Sequence, residues 1–347
     1  MLTQVVAGRV YDFSRAVGRN SDLETGFTYP VGIAFGEGDV VYVLSRGYER
    51  WANQPWQKTH QGARVSKITI GDEVEDEEFI LAISKSGIGE GELIWPAGLA
   101  LDSQENVYVT DEWLNKVSVF DKEGKHLASW GSGGAGDGQF NAPSSIAIDQ
   151  QDDLNIVDSL NHRVQKFTKD GTFLSKWGSK GRADGEFDSP WGITIDGHGS
   201  IYIADHKNHR VQKFTPEGQH VANFGSSGTG KGQLTRPADV TVDAEGDVYI
   251  SDWANHRVQV FGPDGRFITT FIGDAQEYSK WARMSANPEK MKRYREAKNP
   301  ETAWRLNFPT AVGFDQKRER LLIADSQRGR LQIYDKLKNY SRPLLTV

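Results

Sequence analysis

The stretch SPWGITIDGHGSIYIADHKNHRVQKFTPEGQHVANFG (189–225) is followed by RPADVTVDAEGDVYISDWANHRVQVFGPDGRFITTFIG (236–273), which repeats it position by position. Each copy holds four short apolar or alternating runs, GITID, SIYIAD, RVQKF and HVANF in the first, separated by GHG, KN and PEG. Such runs, bounded by turn-forming residues, read as strands in tight antiparallel succession, so one unit is a four-stranded meander. A proline opens each unit, where its fixed φ and missing N–H suit the first residue of a strand. Pro96, Pro143, Pro190 and Pro237 stand 47 residues apart, and Pro30 and Pro309 extend the series to six. A period in the forties with four strands per unit predicts an all-β, six-bladed β-propeller, one domain over 1–347. A propeller has to close, and TQVVAG (3–8) is expected to supply the outermost strand of the last blade, with PLLTV (343–347) as competitor.

Bulk properties narrow the function. A net charge of -6 gives no general attraction to polyanions, and 37% hydrophobic residues suit a soluble globule. No run of apolar residues has the length of a membrane span, and the opening MLTQVVAGRVYDFSR lacks the layout of a secretion signal. With no cysteine, disulfides and thiolate metal sites are excluded, and a cytoplasmic location is the default expectation.

The recurring Asp-x-x-Asn-His-Arg-Val-Gln, at Asp158, Asp205 and Asp252, resembles NHL-repeat propellers. Asp ends a second strand and Arg163, Arg210 or Arg257 opens a third, so the spacing predicts an Asp–Arg pair that closes each hairpin, with Asn supplying the turn. DEWLNKVSVF (111–120) and DSQRGRLQIY (325–334) are looser copies, and blade 1 is the most divergent. Three equivalent histidines, His162, His209 and His256, mark a repeated structural joint, because chemistry needs one site.

Function is sought where a blade departs from its siblings. GYERWANQPWQKTHQGA (47–63) replaces a short turn in blade 1, and residues 274–308, where Asn287-Pro288 and Asn299-Pro300 signal helix starts, lengthen the connection to Pro309. Both fall on one face of the ring, and they are expected to form a partly helical lid over one channel mouth. Beneath it should lie the residues after each opening proline, Val31, Ala97, Ser144, Trp191, Ala238 and Thr310. The residues after each second strand should join them: Arg46, Glu112, Ser159, His206, Trp253 and Ser326. Arg46 follows Ser45 where the other blades have Asp, so it lacks the usual local partner and could hold a substrate oxygen. Glu112 and His206 are the candidate proton carriers, since aromatic enclosure moves either pKa towards neutrality. Trp191, Trp253, Trp113, Trp51, Asp239 and His60 are the candidate substrate-binding residues. KMKRYR (290–295) and DEVEDEE (72–78) read as solvated charge runs.

YVLSRGYERW (42–51) and WPAGLALD also resemble peptidyl-hydroxyglycine amidating lyases. That resemblance implies a substrate contact by Arg46 of the Arg46-Gly47 pair. It also implies a zinc held by histidines directly after alternate opening prolines, and a tyrosine in the blade 3 turn. Here those three positions are Ala97, Trp191 and Thr310, and DSLNHR (158–163) has no tyrosine. The expectation is therefore a lyase-like or hydratase-like acid–base enzyme acting on a small polar or aromatic substrate without zinc. No cofactor is expected; the alternative is a divalent cation such as Ca or Mg on Glu112, Asp239 and His206. The rival class is a non-catalytic propeller binding a protein, peptide or RNA on the same face, nucleic acid being disfavoured by the acidity of the chain.

Overall fold

The second strands decide the architecture, because their side chains are buried on both faces. Val107–Asp111, Leu154–Asp158, Ile201–Asp205 and Val248–Asp252 are buried at every position. A strand apolar on both sides must be sandwiched between sheets. The computed structural model, which describes residues 3–51, 58–285 and 301–338, satisfies this demand with six antiparallel sheets packed face to face around a central channel. In blades 1 to 5 each sheet runs inner to outer in chain order; in blade 5 the strands are Pro237–Val242, Val248–Asp252, Arg257–Phe261 and Phe267–Phe271. Five inner strands begin on the predicted proline. In blade 4 the ladder begins later, at Ile193. Between blades lie apolar clusters such as Tyr202, Val211, Phe224, Val240, Ile250 and Phe261.

The sixth blade closes the ring with the N-terminal segment. Its fourth strand is Arg9–Val17, paired with Arg330–Lys336, and the predicted outermost strand, Thr3–Val6, lies beyond it as a fifth. The expected strand is thus outermost, while the closing strand proper comes from the residues that follow it. PLLTV (343–347) falls outside the described residues.

The Asp–Arg joint is present in blades 3 to 6, with Nε–Oδ2 distances of 2.8 Å for Arg163–Asp158, 3.0 Å for Arg210–Asp205, 2.7 Å for Arg257–Asp252 and 2.8 Å for Arg330–Asp325. The Asp is a hub. Asp158 also accepts from the Asn141 N–H, the Asn161 amide and the Gln165 amide. The turn conformation, assigned to Asn from the sequence, belongs to the histidine instead: His162, His209 and His256 have φ of 54°, 58° and 53°. Each Nδ1 accepts a backbone N–H from the next blade, of Ser189 at 3.0 Å, Arg236 at 3.0 Å and Phe308 at 3.2 Å. In blade 2 Asn115 does both jobs, with φ of 51° and its Oδ1 accepting the Ala142 N–H at 2.8 Å.

Candidate functional site

Strand direction fixes which residues can meet. Each inner strand starts, and each second strand ends, at the same mouth of the channel, as the pairing of Pro237 with Asp252 and Pro143 with Asp158 shows. The channel contains a cavity of about 540 Å³. All six residues after the opening prolines line it, and of those after the second strands Arg46, Glu112, Trp253 and Ser326 do. Tyr29 and Phe308, which precede opening prolines in left-handed conformation, also line it and were not picked out from the sequence. The available signal was their place: a bulky aromatic directly before the proline that starts an inner strand.

Arg46 lacks the local Asp but not a partner. Its Nη2 donates to Glu112 Oε2 at 2.5 Å, across from blade 1 to blade 2, and its guanidinium lies 5.4 Å from the centre of the Trp95 ring. Ser45 meanwhile takes over part of the missing Asp's work, its Oγ accepting the Thr28 N–H at 3.2 Å. Two of the three residues singled out for chemistry at this mouth therefore form one ion pair, partly open to solvent.

His206 is the stacked support of a wall. It is 4% exposed, does not line the cavity, and lies against Trp191 with ring centres 3.7 Å apart and planes at 19°. Its Nδ1 is 3.1 Å from the Pro237 carbonyl, which can only accept, so Nδ1 carries the proton. Burial pushes its pKa down to about 4, leaving the ring neutral near pH 7. Trp191 and Trp253 line the cavity with ring centres 6.1 Å apart, and Phe308 packs on Trp253 at 4.8 Å.

Asp239 is the unusual group. It lines the cavity, its Oδ2 accepts the Val312 N–H of blade 6 at 3.0 Å, and burial raises its pKa to about 7. The neighbouring inner strand makes room through Gly192, where a Cβ would stand 2.5 Å from Asp239 Oδ1. A carboxyl half-protonated at neutral pH can both take and give a proton.

Trp113 and His60 lie apart from the cavity lining. Trp113 is 61% exposed and packs edge-on against Trp95, with centres 5.2 Å apart. His60 also meets Trp95, at 6.0 Å, and its Nε2 stands 3.6 Å from Glu49. Trp51 ends the strand Tyr48–Trp51 of the blade 1 insertion, and its side chain is outside the described residues. In the second insertion, Trp281 of the helix Lys280–Ser285 is buried in the core between blades 6 and 1, and Lys280 donates to the Glu75 and Glu77 carbonyls. The helix Glu301–Trp304 offers carbonyls to Arg328, Arg330 and Gln332 of blade 6. Residues 286–300, with KMKRYR and the Asn-Pro signals at 287–288 and 299–300, lie outside the described residues.

Zinc does not fit where the lyase resemblance implies it, because Ala97, Trp191 and Thr310 occupy the cavity wall and none offers a ligand. Among the described residues no group of three or more His, Cys, Asp or Glu is arranged to hold a metal ion. Of the trio considered for a divalent cation, Glu112 and Asp239 face the cavity and His206 does not. No helix among the described residues is long and apolar enough to cross a membrane.

Residues 140–167, 187–214 and 234–261 match the NHL repeat. A segment of 57 residues is 39% identical to Protein lin-41 of Caenorhabditis elegans; it makes up 16% of this chain and spans 5% of that relative's length. Among solved structures, a catalytically inactive histidine-to-alanine virginiamycin B lyase from Staphylococcus aureus with quinupristin superposes with a TM-score of 0.55 at 14% identity, covering 94% of this chain and 99% of that one. A protein of unknown function from Bacteroides thetaiotaomicron gives a TM-score of 0.57 at 20% identity, covering 94% and 76%. At these identities the shared property is the fold.

Proposed function

With three NHL repeats built into a six-bladed propeller, we propose that this chain is a lyase-like enzyme that carries out acid–base chemistry on a small molecule in the channel. The observation that carries the reading is Asp239, a carboxyl on the cavity wall poised at about 7. In the elimination this suits, the Asp239 carboxylate takes a proton from one substrate atom, the bond to a leaving group on the adjacent atom breaks, and the Asp239 carboxylic acid returns the proton to the departing group. The reverse sequence is an addition. Arg46, steadied by Glu112, stands at the mouth to hold a substrate oxygen, while Trp191 and Trp253 exclude water, and His206 positions Trp191. The likeness to virginiamycin B lyase adds support at the level of the scaffold. The expected lid is not seen in the described parts of the second insertion: the helix Lys280–Ser285 packs between blades 6 and 1, the helix Glu301–Trp304 packs against blade 6, and neither lines the cavity.

The test has two parts. Carbon-detected NMR of the side-chain carboxyls should show one group, lost in Asp239→Asn, that titrates with a midpoint at about 7; a midpoint in the ordinary aspartate range removes the proposed proton carrier. Any turnover found by screening small-molecule libraries should fall by about a hundredfold or more in Asp239→Asn, the usual scale for a lost acid–base group. A turnover that persists in that variant places the chemistry elsewhere.

A further inference from the structure

The charge balance of the channel says what it would take. Among the described residues that line the cavity, the acidic and basic side chains are Arg46, Glu112 and Asp239. The first two answer each other at 2.5 Å, which leaves Asp239. Its carboxylate is met by backbone N–H groups, those of Val312 and Val240, and by no cationic side chain. An enclosed carboxylate without a counter-ion is costly, and a ligand that brings the positive charge recovers that cost on binding.

The walls point the same way. Trp191, Trp253 and Phe308 present aromatic rings to the cavity near its mouth, and aromatic faces attract cations. Trp191 is held flat by the His206 stack, so this wall is already in place before any ligand arrives. Further along the inner strands Ile146, Ile195, Val242 and Phe314 offer apolar surface between Thr194, Thr241 and Gln316.

Resting on the channel reading above, we infer that the ligand is an organic ammonium ion with an apolar body, its cationic head on Asp239 beside Trp191 and Trp253 and its tail along the lower channel. Ligands whose only charge is a carboxylate or phosphate are disfavoured there, since they would set like charge against Asp239. The elements packed about Asp239 present Trp191, Gly192 and Ile193 from blade 4, Ser251 from its own blade, and Thr310 and Val312 from blade 6. The titratable groups on the cavity wall are Arg46, Glu112 and Tyr29; His206 stands behind Trp191, and blades 4, 5 and 6 carry the hairpin pairs Asp205–Arg210, Asp252–Arg257 and Asp325–Arg330. His206 stays neutral above about 4, so it does not blur a titration centred on Asp239.

Calorimetric titration of the full chain with benzyltrimethylammonium, benzyl alcohol and phenylacetate separates the possibilities. The ammonium, whose charge does not titrate, should bind tightest. Its affinity should level off above pH 7 and fall about tenfold per pH unit below it, as Asp239 takes up a proton. Asp239→Asn should weaken it by about tenfold or more. The pH series on the unaltered protein stands even if that variant folds poorly. Equal or tighter binding of the alcohol or the phenylacetate, ammonium binding that ignores pH, or no binding of any probe overturns the inference. Alcohol binding that depends on Asp239 while the ammonium fails would overturn it and leave the channel reading standing, whereas an ordinary Asp239 titration would remove both.

Discussion

His162 illustrates how one side chain serves two blades. It adopts a left-handed φ at its own hairpin, and its Nδ1 takes the N–H of Ser189, 27 residues on. The heptamer in the sequence revealed the Asp–Arg pair because both partners lie within it, but the histidine's acceptor role depends on a donor in the following repeat. Asn115 performs the same task in blade 2, which sets up a direct comparison. His162→Asn should leave stability within about 0.5 kcal/mol, whereas His162→Ala, which strands the Ser189 N–H, should cost about 1 to 2 kcal/mol, both read by urea denaturation. Burial also holds the His162 pKa below its ordinary value. A depressed pKa means that the folded state resists protonation, so this contribution is complete above the ordinary histidine range and is lost as pH falls through the folded value. His162→Asn should therefore show a shallower loss of stability on acidification than the unaltered protein. A curve of the same slope would mean that this histidine does not contribute to the acid sensitivity.

The fourth strand of blade 6 was the element least legible in the sequence. RVYDFSRAV (9–17) breaks the period-two pattern because a bulge between Phe13 and Arg15 shifts its register against Arg330–Lys336, and Asp12 and Arg15 interrupt its apolar run. The other blades were legible because their strands alternate cleanly or are buried on both faces. For the site, position in the repeat put all six residues after the opening prolines on the cavity wall, yet it also expected Ser159 and His206 there and could not distinguish Trp191, which lines the cavity, from His206, which stands behind it. Nor could spacing pair Arg46 with Glu112, 66 residues away in the next blade. Arg15 carries the clearest prediction for the closing strand. Its Nε meets Glu77, 2% exposed, at 2.9 Å, and its other nitrogens donate to carbonyls of the blade 1 hairpin. Arg15→Ala would leave Glu77 buried with a reduced set of partners, and thermal and chemical denaturation should record a loss of about 3 kcal/mol. A loss under about 1 kcal/mol would show that Lys280 and solvent compensate.

At the scale of the ring, blades 5, 6 and 1 are locked by the N-terminal segment. Arg9 bonds Asp247 of blade 5 through both carboxylate oxygens, at 2.8 and 2.6 Å, and Lys336 on the paired strand reaches Asp247 at 2.9 Å. Removing residues 1–17 would take away the outer strands of blade 6 and expose the faces of Leu331 and Ile333. The truncated chain should lose its sharp single thermal transition and bind a hydrophobic dye; a truncated chain that melts as cooperatively as the full one would mean that the seam contributes little. The same seam orders events during synthesis. Arg9–Val17 is made long before the strand it pairs with, so the ring cannot close until Arg330–Lys336 has been made. Until then the blades form an open row, and the meeting of these two distant strands turns that row into a circle.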